Sequence, residues 1–429
     1  MSLEYDVLIS GAGPAGCAAA YDLARAGKRV LMVDRRTFPR HKACACGLTR
    51  KTLQALRYSV DPVVERVCRE VVLQEAGPRF HEGVRIADKS CEVRLQTRKV
   101  ICAMAVRERF DAFCLQQTLT AGAEFKKIES VVAVRESPTW VEIEVTAANG
   151  ATETLRAPAL IGADGSNGQI RRLAAGLDMQ RERLGNGKWI ESRTAELPAE
   201  PAWYAHGFAL EAMVPFEALP RELPAGDGPE DLVFDFAPIA GGYGWLFPKG
   251  DHVNVGVGGF VSMDGSVGLM SESVTRALLA SYTRQKLGVE LNEVPAHVCG
   301  QHLGLGGHEY VPHGRVLLAG DAAGLVDPLT GEGIYSAIKS AQAAACAAMA
   351  WADADTDSLS RAYAQHLREL QAMLAFSHDA AKSFYGEPGR GFHVVRKPLL
   401  RQLMLKAYAD GLPHATLLAG LRATAKRVS

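Results

Sequence analysis

The sequence predicts an α/β fold: a parallel sheet with crossover helices, a mainly β second domain and a helical C-terminal region. Three observations carry this. The apolar run Val7-Leu8-Ile9 leads directly into Gly11-Ala12-Gly13-Pro14-Ala15-Gly16. A second run, Val30-Leu31-Met32-Val33, closes on the acid Asp34. Two later runs, Leu160-Ile161 and Val316-Leu317-Leu318, also end in glycine beside aspartate. Strands that alternate with helices need crossover connections, and crossovers make neighbouring strands parallel. The unit that opens the chain is therefore expected to be Rossmann-like.

Composition limits the rest. A chain of 429 residues with 48% apolar residues and zero formal net charge is an ordinary globular protein of two or three domains. No Lys/Arg block offers an electrostatic footprint for nucleic acid. No apolar run is long enough to cross a bilayer, and the first strand begins without a signal peptide, so a cytoplasmic location is expected. The nine cysteines are odd in number and form no Cys-x-x-Cys pair, which fits reduced thiols. The histidines, His252 and His302 among them, lack metal-ligand spacing, and no metal is expected.

Taken in order, residues 4 to 34 read as strand, helix and strand, and Leu53–Leu56 as a short helix. Val71 to Val93 alternates apolar with polar residues, so the chain is expected to leave the first domain there as strands. Phe110 to Gln117 has helical spacing, and Val131 to Thr146 reads as two strands, with Asn149-Gly150 marking the turn before Ala151. Trp189 to His297 is read as mostly strands, interrupted by an exposed polar excursion from Pro215 to Asp231. An Ala-rich helix follows from Gly333 to Ala350, then amphipathic helices such as Leu400–Ala409 and a basic end.

The glycine motif carries the first chemistry. Gly11 permits a tight turn, Gly13 lets backbone approach a pyrophosphate, and Gly16 lets the helix pack close to the sheet. The helix N-terminus then faces the phosphates with free N–H groups and the positive end of its dipole. Asp34 stands eighteen residues past Gly16, near the offset of about 20 at which an acid accepts from a ribose hydroxyl. Further along, Gly320-Asp321 ends a strand, and Gly331-Glu332-Gly333-Ile334 opens a helix whose start suits an anion such as the pyrimidine end of a reduced flavin. The same residues also describe a plain strand-turn-helix in which Asp321 caps and Glu332 complements the dipole.

Together these motifs resemble the flavin-binding fold of the para-hydroxybenzoate hydroxylase type, over roughly 350 residues. The resemblance implies FAD. Gly11, Gly13, Pro14, Ala15, Gly16, Asp34 and Arg35 would hold its ADP half. Arg107 and Ala163-Asp164-Gly165-Ser166 would lie near the pyrophosphate, and Ala319-Gly320-Asp321-Ala322 along the ribityl chain. Lys42, Gly331, Gly333 and Ile334 complete the implied set.

Within that fold the chain is similar to the geranylgeranyl-reductase-like branch, which is related to the flavin halogenases. The signature residues are Gly242-Tyr243-Gly244-Trp245-Leu246-Phe247-Pro248-Lys249, Val253 to Gly258, and Asp327 to Ile334. The paired-tryptophan motif of halogenases is absent. Trp245 and Phe247 alternate along a strand and would face one side, either as the wall of a cavity over the flavin or as sheet core. The loop Pro39 to Thr49 keeps the branch's lysine and a cysteine, but Ala45 and Cys46 replace its glycines. Cys44 and Cys46 are read either as small reduced fillers or as thiols near the flavin, activated by Lys42 or Arg40.

The resemblance divides the chain into an FAD-binding domain (1–70, 96–185 and 298–350), a substrate domain (71–95 and 186–297) and a C-terminal helical region (351–429). It implies an FAD-dependent oxidoreductase supplied by NAD(P)H or a reduced carrier. Three chemistries share that cofactor. Oxygen transfer to an electron-rich aromatic group, with O2 as cosubstrate, ranks first. The substrate is small or protein-borne, such as a tryptophan of a partner protein during tryptophylquinone biogenesis. Saturation of prenyl double bonds ranks second and a non-catalytic redox switch third. Two features set that order: the polar excursion and helical tail suit docking better than a lipid tunnel, and Ala45-Cys46 departs from the reductase pattern.

Overall fold

The computed structural model describes residues 4–75, 79–81, 84–87, 91–176, 199–223, 230–239, 241–259, 272–351, 356–386 and 395–411. The start of the expected substrate domain at 186, part of the polar excursion and the basic end lie outside them.

Two seven-stranded sheets organise the chain. The first runs Thr152–Ala157, Val141–Ala147, Glu124–Glu136, Val30–Asp34, Val7–Ser10, Ala159–Gly162 and Val316–Leu318. Its inner strands are parallel, as crossovers require, and Val7–Ser10 is buried along its whole length between Val30–Asp34 and Ala159–Gly162. Helix Pro14–Arg25 starts on Gly13 with proline at its first position, where a missing N–H costs nothing. It packs against the Ala-rich helix Ile334–Ala350, whose small residues allow close approach.

The second sheet runs His297–Leu305, Ala205–Pro215, His252–Gly259, Gly242–Pro248, Val233–Asp235, Glu70–Glu75 and Cys91–Gln96. The excursion expected from Val71 to Val93 thus supplies two of its strands. The return to the first sheet falls after Leu305, not at 298, because His297–Leu305 pairs with Ala205–Pro215. A helix, Glu272–Leu287, also interrupts the stretch read as mostly strands. Its buried residues Thr275, Leu279, Tyr282, Thr283, Lys286 and Leu287 have helical spacing, but a Thr- and Lys-containing stripe hides the apolar period.

The tail ties the two sheets together. Helix Thr356–Gly386 buries Leu359, Tyr363 and Leu367 in the first core, then Ala381 and Tyr385 in the second. Tyr363 donates to the Leu318 carbonyl at 2.5 Å and Tyr385 to that of Leu329 at 2.6 Å. Helix Pro398–Asp410 follows, held by an ion pair between Asp410 and Arg50. Among the described residues no helix is long and apolar enough to cross a membrane.

Candidate active site

Between the carboxyl ends of the parallel strands lies an outer cleft of about 280 Å³. Gly11, at φ 102°, turns the chain out of the first strand and donates to the Val33 carbonyl at 2.7 Å. A Cβ there would lie 2.3 Å from the Ala163 carbonyl oxygen, and one at Gly16 would lie 1.8 Å from that of Gly11, so both positions exclude a side chain. At Gly13 a Cβ would meet only the Arg40 guanidinium, at 3.7 Å, so its backbone is open to the cleft. Asp34 accepts from Ala12 N–H and Arg36 N–H, both at 2.8 Å, and Asp34 and Arg35 line the cleft with Pro14 and Ala15.

Two residues of this cleft carry buried atoms of opposite character that lack partners among the described residues. Asp164 uses Oδ2 for Gln169 N–H (2.7 Å) and Ile170 N–H (3.1 Å), while Oδ1 is left unpaired. Burial raises its pKa against those bonds. Arg40 pairs Nη2 with Asp111 at 2.9 Å and leaves Nη1 unpaired. An unmet acceptor and an unmet cationic donor beside a glycine turn fit a ligand carrying hydroxyls and phosphate oxygens, as FAD does. Arg107 is buried and bound through both ends to Asp111 at 2.7 Å, and it lines an inner pocket. Arg40, assigned by sequence only as a neighbour of the thiols, is the guanidinium beside Gly13.

The inner pocket, about 150 Å³, adjoins the cleft and shares Pro14, Lys42 and Asp321 with it. Gly320 and Gly331 take positive φ, and Gly320 N–H is fixed by Ser340 Oγ at 2.9 Å. A Cβ at Gly333 would lie 3.2 Å from the Asp321 carboxylate. Gly331, Gly333 and Ile334 thus present the start of the Ala-rich helix to the pocket. Glu332 does more than complement the dipole: it accepts from Thr49 at 2.7 Å and pairs with Lys51 at 2.5 Å. Burial pulls the Lys42 ammonium below its ordinary pKa, and Arg107 adds to the effect.

Trp245 and Phe247, each 5% exposed, both face this pocket, and Trp245 donates to Asn254 Oδ1 at 2.7 Å. Opposite them runs the loop Ala43 to Gly47. Cys46 sits at φ 45°, the left-handed region that favours glycine, and its N–H meets Cys44 Sγ at 3.3 Å. Burial pushes the Cys46 thiol far above its ordinary pKa, and Cys44 adds to the effect. Two buried groups were invisible to sequence spacing. Glu211, from strand Ala205–Pro215, accepts from Cys44 N–H at 2.8 Å, and Lys249 donates to the Ala45 carbonyl from behind the loop.

A third cavity, about 200 Å³, adjoins the inner pocket and shares Phe234, Tyr243, Thr330 and Tyr408 with it. Its wall is mostly apolar, with Leu73, Phe236, Met373, Phe384 and Leu405 supplied by the second sheet and the tail helices. Lys51, Asp327 and Arg401 are the charged residues among its lining.

Residues 4–211 match the family described as FAD binding domain. The chain is 30% identical over 358 residues to menaquinone reductase of Mycobacterium tuberculosis, covering 79% of this chain and 75% of that one. It is 27% identical over 348 residues to digeranylgeranylglycerophospholipid reductase 3 of Methanosphaera stadtmanae, with 79% and 75% covered. The crystal structure of a geranylgeranyl bacteriochlorophyll reductase-like protein from Thermoplasma acidophilum superposes with a TM-score of 0.68 at 20% identity, covering 97% of this chain and 95% of that one. The chain therefore belongs to the FAD-dependent oxidoreductases of the para-hydroxybenzoate hydroxylase fold, in their geranylgeranyl-reductase-like branch.

Proposed function

We propose that this protein is an FAD-dependent reductase that saturates a double bond of an isoprenoid chain. The observation that carries the reading is the apolar cavity opening beside the inner pocket: it matches a long hydrocarbon acceptor, and burying such a chain contributes about 0.8 kcal/mol per methylene. The sequence ranks oxygen transfer first because the polar excursion and helical tail suit docking and Ala45-Cys46 departs from the reductase pattern; the tail is the part of this the structure bears on. Helix Pro398–Asp410 instead contributes Arg401, Leu405 and Tyr408 to the cavity, which removes that support. The relatives compared are reductases, and nothing in them supports oxygenation of a partner's tryptophan.

When bound, FAD supplies a hydride equivalent, drawn from NAD(P)H or a reduced carrier. The chain supplies position. Gly11 to Gly16 and Arg40 would hold the phosphate end, Asp34 the adenosine ribose, Asp321 the ribityl chain, and Gly331 to Ile334 the negative end of the reduced ring. Trp245, Phe247 and Tyr243 wall the ring pocket, exclude water and align the acceptor where the apolar cavity meets it. The test is to reduce the holoenzyme anaerobically and add a geranylgeranyl lipid. Reoxidation of the flavin with a product gaining two hydrogens per bond supports the reading. An unreactive lipid, with an aromatic acceptor gaining oxygen under air, overturns it in favour of the monooxygenase.

A further inference from the structure

We propose that Glu211 is the proton donor of this site, delivering the proton that accompanies hydride addition to the double bond. The proposal rests on the reductase reading above. Glu211 and Ala209 share one face of strand Ala205–Pro215, and both line the inner pocket. The Glu211 side chain is 2% exposed, yet no cation forms an ion pair with it among the described residues. Its Oε1 accepts from Cys44 N–H at 2.8 Å, Cys299 Sγ lies 3.9 Å away, and the Asn254 amide stands beside it.

The charged groups that face Glu211 are Lys249 and Arg107, and both are engaged elsewhere. Lys249 donates to Ala45 and Arg107 is held by Asp111. An unpaired buried carboxylate is costly, while the neutral acid is accommodated at far smaller cost. Burial accordingly pushes the Glu211 carboxyl above its ordinary range, against the pull of Cys44 N–H, Asn254, Lys249 and Arg107. A carboxylic acid kept neutral beside a reacting bond is the state a general acid needs. In the step, the Glu211 O–H bond breaks as a C–H bond forms at one alkene carbon. The other carbon receives hydride, two electrons and a proton, from the reduced flavin. The π bond is consumed, and the carboxylate regains its proton from water.

Glu211→Gln keeps size and removes the acid. The variant is expected to hold FAD and to be reduced by dithionite like the parent, while reoxidation of its flavin by a prenyl lipid slows about 100-fold. The parent rate should fall as pH rises through the carboxyl's pKa, and the variant should lose that limb. Infrared difference spectra of the parent at neutral pH should show a protonated-carboxyl band absent from the variant. A variant within about threefold of the parent with an unchanged pH profile, or a parent without that band, overturns the assignment. If the Gln variant fails to hold FAD, Glu211→Asp decides: it should keep the pH limb at a lower rate, and a flat profile counts against the role. A parent whose flavin no prenyl lipid reoxidises overturns the reductase reading itself and this proposal with it.

Discussion

Cys46 shows what one residue discloses about a loop. Where the related branch carries glycine, this chain holds a buried cysteine at φ 45°, a conformation that costs an L side chain about 1 kcal/mol or more. The departure from the glycine pattern, visible in the sequence, thus leaves a side chain on backbone of the kind glycine favours. Burial pushes the thiol well above its ordinary pKa, which works against its acting as a thiolate nucleophile. The consequence is a reversal of the usual order of small residues. Cys46→Gly and Cys46→Ala lose the same sulfur contacts, but only glycine relieves the backbone. In most settings glycine is the less stable by about 0.5–1 kcal/mol. Here urea denaturation of the FAD-loaded variants should find Cys46→Gly more stable than Cys46→Ala by about 1 kcal/mol. Equal midpoints, or alanine ahead, would mean that the loop relaxes out of this conformation.

At the scale of elements, helix Arg107–Thr120 is joined to the cofactor loop by a buried cluster: Arg107 and Arg40 both bind Asp111. Burial by itself would raise the Asp111 carboxyl; Arg107 outweighs it, with help from Arg40 and Lys42, and the pKa lies below its ordinary value. A carboxyl depressed in the folded state contributes stability that is fully present above its unfolded value of about 3.9 and is lost as pH falls through the folded value. Asp111→Asn strips the counter-charge from two guanidiniums and should cost about 3–5 kcal/mol at neutral pH. The gap to the parent should start to narrow below about pH 4, where the unfolded chain's carboxyl takes up its proton, and should close as pH falls through the lower folded value. Thermal melts across that range check it, and a variant melting like the parent at pH 7 would show the cluster to be dispensable. The contrast with the glycine turns explains what could be read beforehand. Gly11 to Gly16 and Gly331 to Ile334 act through backbone turns within a few residues, and Asp34 stands at a fixed offset after the first of them, so spacing reveals all three. Arg40 meets Asp111 across 71 positions and Cys44 meets Glu211 across 167, and no local pattern records such a pairing.

For the whole molecule, the two sheets and the tail jointly line three neighbouring spaces, from the cleft at the glycine turn through the inner pocket to the apolar cavity. The buried parallel strands of the first sheet are legible in the sequence, because the glycine and aspartate turns follow apolar runs. The apolar cavity is not legible there, because its walls come from Lys51 and four further separated stretches: 71–95, 234–243, 327–330 and 373–408. Amphipathic tail helices signal only that one face is covered, not that a gap remains beneath it. That gap is the discriminating feature for substrate length. Ala407 lines it from helix Pro398–Asp410 and is absent from the inner pocket lining, so Ala407→Phe places a ring in the hydrocarbon path and leaves the flavin contacts alone. A reductase that threads its acceptor through this space should keep its FAD content and its activity on a short prenyl acceptor. For a geranylgeranyl-length acceptor KM should rise about tenfold or more, which is about 1.4 kcal/mol of lost binding. Steady-state kinetics with paired acceptors separates the outcomes: an equal loss on both lengths would signal damage to the ring pocket, and no loss on either would show that the chain lies elsewhere.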